Sequence, residues 1–591
     1  MTRWIIQFFL MAALLVGVSA CGGPASPGRE EAEPGAVASG PLHSERGGIG
    51  LVPVERGGVS AQMVVPVDPR LSLAVTDKGI LANFPLPAVL GQMVAQNGGM
   101  GFTATQLFRQ LWDTQNPAPG QPDLPFSPHC TDNGGTLNGF PYPCRPGEGN
   151  QAPPAVTPSI NDYVAVGLYN RFDLAPTDGS DCGEYRIVFA KRVGAGPGRN
   201  FIIFEAVLPN PRQDLGLEGC RAVADFWSDL TADPSIPSRA TKLRDFYFIG
   251  LPGFPPVIDM HHYGFNPLGL GQVRTNQFIM GPWLLREFKL ERSCPTIGCT
   301  LRFVPVTVKT NPWGDLFNPA SAHPLAPAFQ SAFLSQVQSL AVNNVNLFNY
   351  TMADTFNVGQ SDSQTPGTVD DYVALFGLGP SAFHTNIQAQ LTALGSPLTP
   401  RDIVVRAQAL SCGGCHQRSN GQPLGAGLTW PFSVRFVHSS EFDDPADPTR
   451  FDISPALRTT FLPHRKMVLE NFLTTPVLAA AFVSQSVPIT VIAGSPFSVT
   501  MTMKNTGTSA WTELNAFRLG SQTPANNTTW GLNRAFLTPT ETIHQGQQKS
   551  FTFTATAPPV PGLYTFRWQM VQDGVGFFGP LTPGVSINVT P

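Results

Sequence analysis

Short apolar runs fill the middle of the chain and alternate with stretches rich in Pro, Gly, Asn and Asp. Runs of this length that are rich in β-branched and aromatic residues predict β-strands. We assign strands to DYVAVGLYNRF, EYRIVFAKR, NFIIFEAVL, DFYFIGL, WLLREFKL and TLRFVPVTV. Helical spacing follows in two stretches, through Phe329, Phe333, Val337 and Leu340, and through Phe383, Ile387, Leu391 and Leu394. The pattern predicts one α+β domain over residues 61–394.

Stretches of alternating apolar and polar residues become frequent from about residue 477 onwards. Two predicted strands each place their apolar side chains on one face, namely Phe497, Val499, Met501 and Met503, and Phe551, Phe553 and Ala555. The turn sequences NTGTS, ANNTT, APPVPG and QDGVG separate such strands at regular intervals. This spacing predicts an all-β, immunoglobulin-like sandwich over residues 477–591.

Between these two regions the pattern becomes helical. Thr399, Pro400 and Asp402 form a helix start, with a hydroxyl N-cap, proline at the first position and an acidic residue at the third. An apolar stripe follows in this helix, and a second helix is predicted from Pro463 to Leu473. Residues 395–476 are therefore predicted to form a small α-helical segment.

The N-terminus has the pattern of a secretory signal. Arg3 is followed by apolar residues from Trp4 to Val18, a run too short to span a bilayer. The sequence VSAC, ending at Cys21, resembles the lipobox of bacterial lipoproteins. This resemblance implies a signal peptide at residues 1–20 and a lipid on Cys21. Residues 21–60 are rich in Gly, Pro, Ala and Glu without periodicity, which predicts a flexible tether. An ordinary signal peptide with an incidental cysteine is the alternative.

The predicted location follows from the same resemblance. A lipid on Cys21 would anchor the protein to a membrane of the bacterial cell envelope, on its periplasmic or surface side. Gly22 after the cysteine favours the outer membrane by analogy with bacterial lipoproteins.

Composition excludes one class of partner. Charged residues make up 13% of the 591 residues, and the formal net charge is −4. Nucleic-acid binding needs a basic surface that neutralises phosphates, so we expect no nucleic-acid partner.

The nine cysteines fall into three groups. Cys21 belongs to the lipobox, and Cys412 and Cys415 form a CxxC pair. The other six are Cys130, Cys144, Cys182, Cys220, Cys294 and Cys299. An exported chain can pair six cysteines in three disulfides, and we expect pairing between neighbours in sequence among several possible connectivities.

The segment CGGCH, residues 412–416, matches the attachment pattern of c-type haem. Two thiols at this spacing reach the two vinyl-derived carbons of the porphyrin, and the following imidazole reaches the iron. Together with the preceding helix, the segment resembles the first helix of a class I cytochrome c. The resemblance implies thioether bonds to Cys412 and Cys415 and His416 as the proximal iron ligand.

The resemblance also implies a distal ligand, and Met467 is the methionine at the expected place. His464, His438 or an open position are alternatives. The CxxC pair could instead be a redox or structural disulfide, or part of a zinc site.

Three sequence segments of the C-terminal region resemble one known domain family. KNTGTSAW, TAPPVPGLYTFRWQM and FFGP resemble the four-tryptophan immunoglobulin-like domain of autophagy receptors and many bacterial surface proteins. Trp511 and Trp568 occupy two of the tryptophan positions, Met501 stands at the first, and the last is missing near Pro583. Trp530 is an additional tryptophan. The resemblance implies a spacer or a module that contacts a protein or a surface polymer.

These observations predict a multidomain lipoprotein of the cell envelope with one covalent haem c, acting in electron transfer with a redox partner protein. The alternative is an adhesion or scaffold lipoprotein whose CxxC pair is a structural disulfide. HExxH, GxSxG, P-loop and dinucleotide-binding motifs are absent from the sequence, so enzymatic activity stays open. His261 and His262 are predicted to be neighbours on a strand that point to opposite faces, which prevents them from sharing one metal ion.

Overall fold

The structure is a computed structural model that describes residues 66–98, 103–112, 135–146, 148, 159–192, 198–278, 281–294, 299–364, 370–434, 437–474, 478–544 and 546–591. The predicted signal peptide, Cys21, the tether at residues 21–60 and Cys130 lie outside these residues. The chain divides into two compact units, Met1–Leu473 and Thr474–Pro591. Residues 395–473 thus share one unit with residues 66–394, whereas the sequence predicted a segment of its own over residues 395–476.

The first unit is built on an antiparallel sheet of eight strands. Seven strands follow one another in the order Ala74–Val75, Tyr163–Arg171, Asp181–Lys191, Arg199–Pro209, Gln272–Phe278, Leu284–Ser293 and Gln360–Asp362. Thr300–Val306 also pairs with Leu284–Ser293. These bounds confirm five of the six strand predictions in residues 61–394.

One face of this sheet carries paired charges. Arg186 lies opposite Glu205, and Arg274 lies opposite Glu287, so that guanidinium and carboxylate groups alternate across neighbouring strands. All four residues are buried. Leu285 lies two residues from Glu287 on the same face and packs against Cys412. The CxxCH segment therefore covers the charged face of the sheet.

Helices surround the sheet. The α-helices are Pro69–Ser72, Lys78–Leu81, Leu86–Gln96, Ala104–Trp112, Arg221–Ala232, Ile236–Phe248, Ala326–Leu334, Val337–Leu340, Tyr372–Phe376, Ala382–Ala393, Pro400–Leu410 and Leu462–Thr474. Short 3₁₀ turns are Ile160–Asp162, Phe172–Leu174, Gln213–Cys220, Met260–Tyr263, Gly314–Phe317, Val345–Leu347 and Asp354–Phe356. Within the described ranges, none of the helices has the length and apolar character needed to cross a membrane.

Two predictions for this unit are wrong. DFYFIGL was predicted to be a strand, but its first four residues end the helix Ile236–Phe248, which starts at an N-cap formed by Ser235. Phe246 and Tyr247 are both buried, and a short apolar run such as FYF cannot be assigned to helix or strand from periodicity alone. His261 and His262 lie in the 3₁₀ turn Met260–Tyr263 and not on a strand.

The ends of the first unit are tied together. The strands Ser439–Asp444 and Asp447–Ile453 form a hairpin beside the first helices. Lys78 Nζ lies 2.6 Å from Asp443 Oδ1, and Arg70 Nη1 lies 3.0 Å from Asp444 Oδ2. The Val67 amide donates to Glu470 Oε1 at 3.0 Å, across 403 residues of sequence. Residues from both ends of the unit therefore complete its core.

The second unit consists of strands, as predicted. They are Ala480–Ser486, Thr490–Ile492, Pro496–Asn505, Trp511–Thr512, Phe517–Ser521, Arg534–Phe536, Thr542–Ile543, Gln548–Thr556, Gly562–Phe566, Trp568–Gln572, Gly576–Phe578 and Val585–Thr590. Pro496–Asn505 lies between Ala480–Ser486 and Gln548–Thr556 in one sheet. Its inward residues, Val499, Met501 and Met503, are buried together with Trp511, Trp530 and Trp568. The tryptophans therefore form the core of the sandwich.

Two of the predicted disulfides are confirmed, Cys182–Cys220 and Cys294–Cys299. Cys144 also takes part in a disulfide. Because Cys130 lies outside the described residues, the predicted pairing of Cys130 with Cys144 stays a prediction.

Candidate functional site

The CxxCH segment follows a helix whose start agrees with the prediction. Thr399 Oγ1 accepts from the Asp402 amide at 3.2 Å, and Asp402 Oδ2 accepts from the Thr399 amide at 2.8 Å. This reciprocal cap fixes the first turn of Pro400–Leu410. After a break at Ser411 the chain turns again into a short π-helical stretch, Gly414–Arg418. Cys415 and His416 thus lie on a helical turn of their own.

Both central residues of the motif are glycines for a steric reason. A Cβ atom on Gly414 would lie 1.6 Å from the Gln408 carbonyl oxygen, and one on Gly413 would lie 2.7 Å from the Asp362 carbonyl oxygen. The Gly413 amide also donates to Ser361 Oγ at 2.9 Å. The backbone of the motif is therefore packed directly against its neighbours, and larger residues do not fit.

A buried polar cluster receives this backbone. Asp370 accepts from Asn311 Nδ2 at 2.7 Å and from Ser361 Oγ at 3.2 Å. Asn311 in turn accepts from the Cys412 amide at 3.3 Å. Burial raises the pKa of Asp370 to about 6. The cluster fixes the position of the first cysteine of the motif.

All three motif side chains are buried, with 3%, 4% and 2% of Cys412, Cys415 and His416 exposed. The two cysteines have different surroundings. Cys412 packs against Leu285 and Val308, whereas Cys415 packs with Phe348, Val405, Ala409, Leu424 and Trp430. Cys412 is a thiol, and burial raises its pKa to about 12. Cys415 takes part in a disulfide, and the thiol state of Cys412 means that this disulfide does not close the CxxC pair.

His438 lies against the motif. Its Nε2 is 3.4 Å from Cys415 Sγ, and its ring centre is 5.5 Å from that of His416. Its Nδ1 is 2.7 Å from Ser454 Oγ. Burial, and then the neighbouring His416, lower the pKa of His438 well below its usual value, so the ring is neutral at pH 7. A neutral imidazole with one nitrogen fixed by a hydroxyl can act as an acceptor or as a metal ligand.

A cavity beside Cys415 forms the open part of the site. Its volume is about 70 Å³, and the adjoining space that opens to solvent brings the total to about 550 Å³. Its walls include Phe348, Ala409, Leu410, Cys415, Trp430 and Phe461. The ring centres of Trp430 and Phe461 are 5.9 Å apart, so these two rings form one aromatic wall. The cavity can accept an apolar group next to the Cys415 sulfur.

Val345 and five polar residues complete the lining of this cavity, and the polar residues are Arg171, Asp173, Asn346, His464 and Arg465. Arg171 and Asp173 form an ion pair at 2.9 Å, and Arg465 Nε lies 3.8 Å from the same carboxylate. Burial alone raises the pKa of Asp173, but Arg171 and Arg465 outweigh it and lower the pKa to about 2. Burial lowers the pKa of Arg465 to about 9. The cavity wall thus contains charged side chains that are poorly solvated.

The predicted distal ligands lie in different places. Met467 is 47% exposed and does not line the cavity. His464 lines it and sits on the same helix, Leu462–Thr474. Among the described residues, no group of three or more His, Cys, Asp and Glu side chains is arranged to hold a metal ion. The structure therefore gives no support to a zinc site made from the CxxC pair.

Sequence reasoning found the motif and its helix but missed the walls of the cavity. Arg171 lies on a strand more than two hundred residues before the motif. Trp430 follows the motif in a loop, and Phe461 ends the π-helical stretch Leu457–Phe461. Arg465 directly follows His464, a candidate ligand. This adjacency is the only signal in the sequence that could have pointed to Arg465 as a residue of the cavity.

Burial of Cys412 predicts slow alkylation. In the folded chain without an attached group, iodoacetamide should modify Cys412 about 1,000-fold more slowly at pH 8 than in the unfolded chain, because a rise in pKa from 9.0 to about 12 removes the reactive thiolate. Mass spectrometry of the Cys412 peptide over time measures both rates, and the unfolded chain is the control. Equal rates would show that the thiol is accessible in the folded protein.

Comparisons with known proteins agree with the C-terminal prediction. Residues 488–589 match the family described as the Ig-like domain from next to BRCA1 gene. This match covers the strand-rich second unit and supports the immunoglobulin-like fold there. A search of curated proteins found no match to the chain.

Proposed function

We propose that this chain is an exported, lipid-anchored protein of the bacterial cell envelope that carries one c-type haem and transfers electrons to a redox partner protein. Cys412 and Cys415 would form the thioether bonds, and His416 would be the proximal ligand. One observation carries this proposal: the second cysteine of a CxxCH segment lines a cavity with an aromatic wall. A bound haem would supply one-electron redox chemistry.

Some of the residues around the cavity have the chemistry that a haem needs. Cys415, Trp430 and Phe461 offer a sulfur and aromatic faces, and His464 offers an imidazole. Cys412 fits less well, because it packs away from the cavity against Leu285 and Val308. Thioether formation at both cysteines therefore requires Cys412 to leave these contacts and the disulfide at Cys415 to be reduced. For the distal position we propose His464 in place of Met467, whose side chain is half exposed.

A spectrum of the exported protein tests the proposal. The full chain is produced with haem-attachment enzymes, and we expect a Soret band, a pyridine haemochrome of the c type and a mass increase of one haem. The Cys412→Ala/Cys415→Ala double variant should lose all three signals, whereas Met467→Ala should keep them. A colourless protein with the mass of the bare chain would falsify the haem proposal.

A second candidate function is an adhesion or scaffold lipoprotein. Two observations favour it, the immunoglobulin-like domain at residues 488–589 and the disulfide at Cys415. Alkylation of the denatured protein with and without a reductant separates the two functions. A thioether-bonded Cys415 stays unmodified in both samples, whereas a Cys415 held in a disulfide is modified only after reduction.

A further inference from the structure

The cavity beside Cys415 contains more positive charge than its own carboxylate balances. Arg171 and Arg465 are 5% and 8% exposed, and Asp173 is the only carboxylate in the described lining. Asp173 is engaged by Arg171 through both the Nε and Nη2 atoms. Arg465 reaches the same carboxylate only at 3.8 Å. Two guanidinium groups thus share one carboxylate.

Both guanidinium groups have donors left over. Arg171 Nη1 is buried and has no hydrogen-bond partner among the described residues. Within the same residues Arg465 makes no hydrogen bond, and its other contact is with the Phe461 ring, 6.0 Å from the ring centre. A buried guanidinium donor without an acceptor is costly, so such a group favours a ligand that carries an acceptor.

Glu184 and Glu205 stabilise the charge of Arg171 electrostatically but, within the residues that the structure describes, do not form hydrogen-bonded ion pairs with the two arginines of the cavity. Glu184 and Glu205 pair with Arg186, and Glu205 and Glu287 pair with Arg274 on the charged face of the sheet. None of them forms an ion pair with Arg171 or Arg465 in the described part of the chain. The two arginines are therefore the groups in this cavity that are ready to receive a ligand.

We infer that Arg171 and Arg465 form a carboxylate-binding site in the cavity, for a ligand whose acidic group is attached to a flat apolar body that lies against Trp430 and Phe461. Guanidinium groups bind carboxylates through charge-assisted hydrogen bonds, and aromatic walls bind flat apolar surfaces. Asp173 holds Arg171 in place, and its negative charge keeps the site selective for one acidic group at Arg465.

The acidic ligand has two possible sources. One is a propionate of the covalent haem, in which case this inference deepens and rests on the proposed function. The other is a free aromatic carboxylic acid that enters the same cavity without any haem. Both present a carboxylate on a flat apolar body, and the experiment separates them.

Binding of three probes to the full chain, produced without haem-attachment enzymes, tests this inference. The probes are protoporphyrin IX, its dimethyl ester and 2-naphthoate, and the readout is quenching of tryptophan fluorescence, checked by calorimetry. Arg465→Gln should weaken binding of at least one carboxylate probe by about tenfold or more, because a charge-assisted hydrogen bond is lost. The dimethyl ester has no carboxylate, so this variant should leave its affinity unchanged.

Two further variants keep the test decisive. Arg458→Gln, which removes a partly exposed arginine paired with Asp444 and Asp452, is the matched control and should bind every probe like the parent. Arg465→Lys keeps the charge without the forked donors, so its affinity for the carboxylate probes should lie between those of the parent and of Arg465→Gln. This variant replaces Arg465→Gln in the test if Arg465→Gln unfolds the chain.

The outcomes distinguish this inference from the proposed function. Binding of 2-naphthoate without protoporphyrin IX supports the carboxylate site and a free acid as its ligand. Binding of protoporphyrin IX that is lost on esterification and in Arg465→Gln supports the propionate source. The inference is overturned if neither carboxylate probe binds, or if the Arg465 variants bind both probes as tightly as the parent. A colourless exported protein that still binds 2-naphthoate would refute the haem and leave this site intact.

Discussion

Replacement of Glu148 by glutamine should lower the free energy of unfolding by about 3–5 kcal/mol at neutral pH, because it removes the carboxylate that pairs with two buried guanidinium groups. Glu148, Arg145 and Arg286 have fully buried side chains. Glu148 Oε1 lies 2.6 Å from Arg145 Nη2, and Glu148 Oε2 lies 3.0 Å from Arg286 Nη1. Chemical denaturation of the parent and the variant measures the difference.

The pH dependence gives this prediction a second readout. Burial alone raises the pKa of Glu148, but Arg145 and Arg286 outweigh it and lower the pKa below its ordinary value of 4.5. A carboxyl group whose pKa is lower in the folded state contributes stability above its unfolded pKa and loses it as the pH falls through the folded value. The difference between parent and Glu148→Gln should therefore be constant above pH about 4.5 and shrink below it.

Glu291→Gln is the matched control. Glu291 pairs with Arg302, but the two side chains are 37% and 38% exposed, and exposed ion pairs contribute at most about 1 kcal/mol. A Glu148→Gln variant as stable as this control would show that the buried pair makes no net contribution.

Replacement of Arg406 by alanine should lower the free energy of unfolding by about 3 kcal/mol or more, since it removes several buried charge-assisted hydrogen bonds. The Arg406 side chain is fully buried in the helix Pro400–Leu410. Its Nε donates to the Leu424 carbonyl at 2.7 Å, and its Nη1 donates to the Leu340 and Val342 carbonyls, each at 2.8 Å. These bonds join three parts of the chain around the cluster that contains Cys415.

The same helix supplies the control for Arg406. Arg401 is exposed one turn earlier, and Arg401→Ala should change the stability by no more than about 0.5 kcal/mol. Thermal and denaturant unfolding of both variants measure the contrast, and limited proteolysis between residues 411 and 430 shows whether the motif loosens. Equal stability of the two variants would contradict the role given to Arg406.

Local signals in the sequence predicted much of this molecule. The N-cap at Thr399, the strands with turn formers on both sides and the alternation around Met501 all depend on neighbours in sequence, and all were confirmed. The helix that ends at Phe248 was missed, because the short apolar run FYF at its end cannot be assigned to helix or strand from periodicity alone.

Contacts between distant residues were beyond the sequence patterns. The boundary predicted at residue 395 does not coincide with a boundary between compact units. Leu398, Ile403 and Val404 belong to the same hydrophobic core as Phe140 and residues of the helices that precede residue 395. The same holds for the cavity, where Arg171 and Arg465 meet although nearly three hundred residues separate them. Spacing reveals a motif, but it does not show which side chains the fold brings to it.

The ties between the two ends of the first unit set an order of events during its biogenesis. Synthesis proceeds from the N-terminus, so residues 412–416 emerge before Trp430, His438 and Phe461, which cover them, and before Asp443 and Glu470, which hold the first helices. A nascent chain that ends shortly after residue 420 exposes both cysteines to any enzyme that modifies them. Once Glu470 accepts its hydrogen bond from the Val67 amide, both cysteines are buried and such an enzyme no longer reaches them.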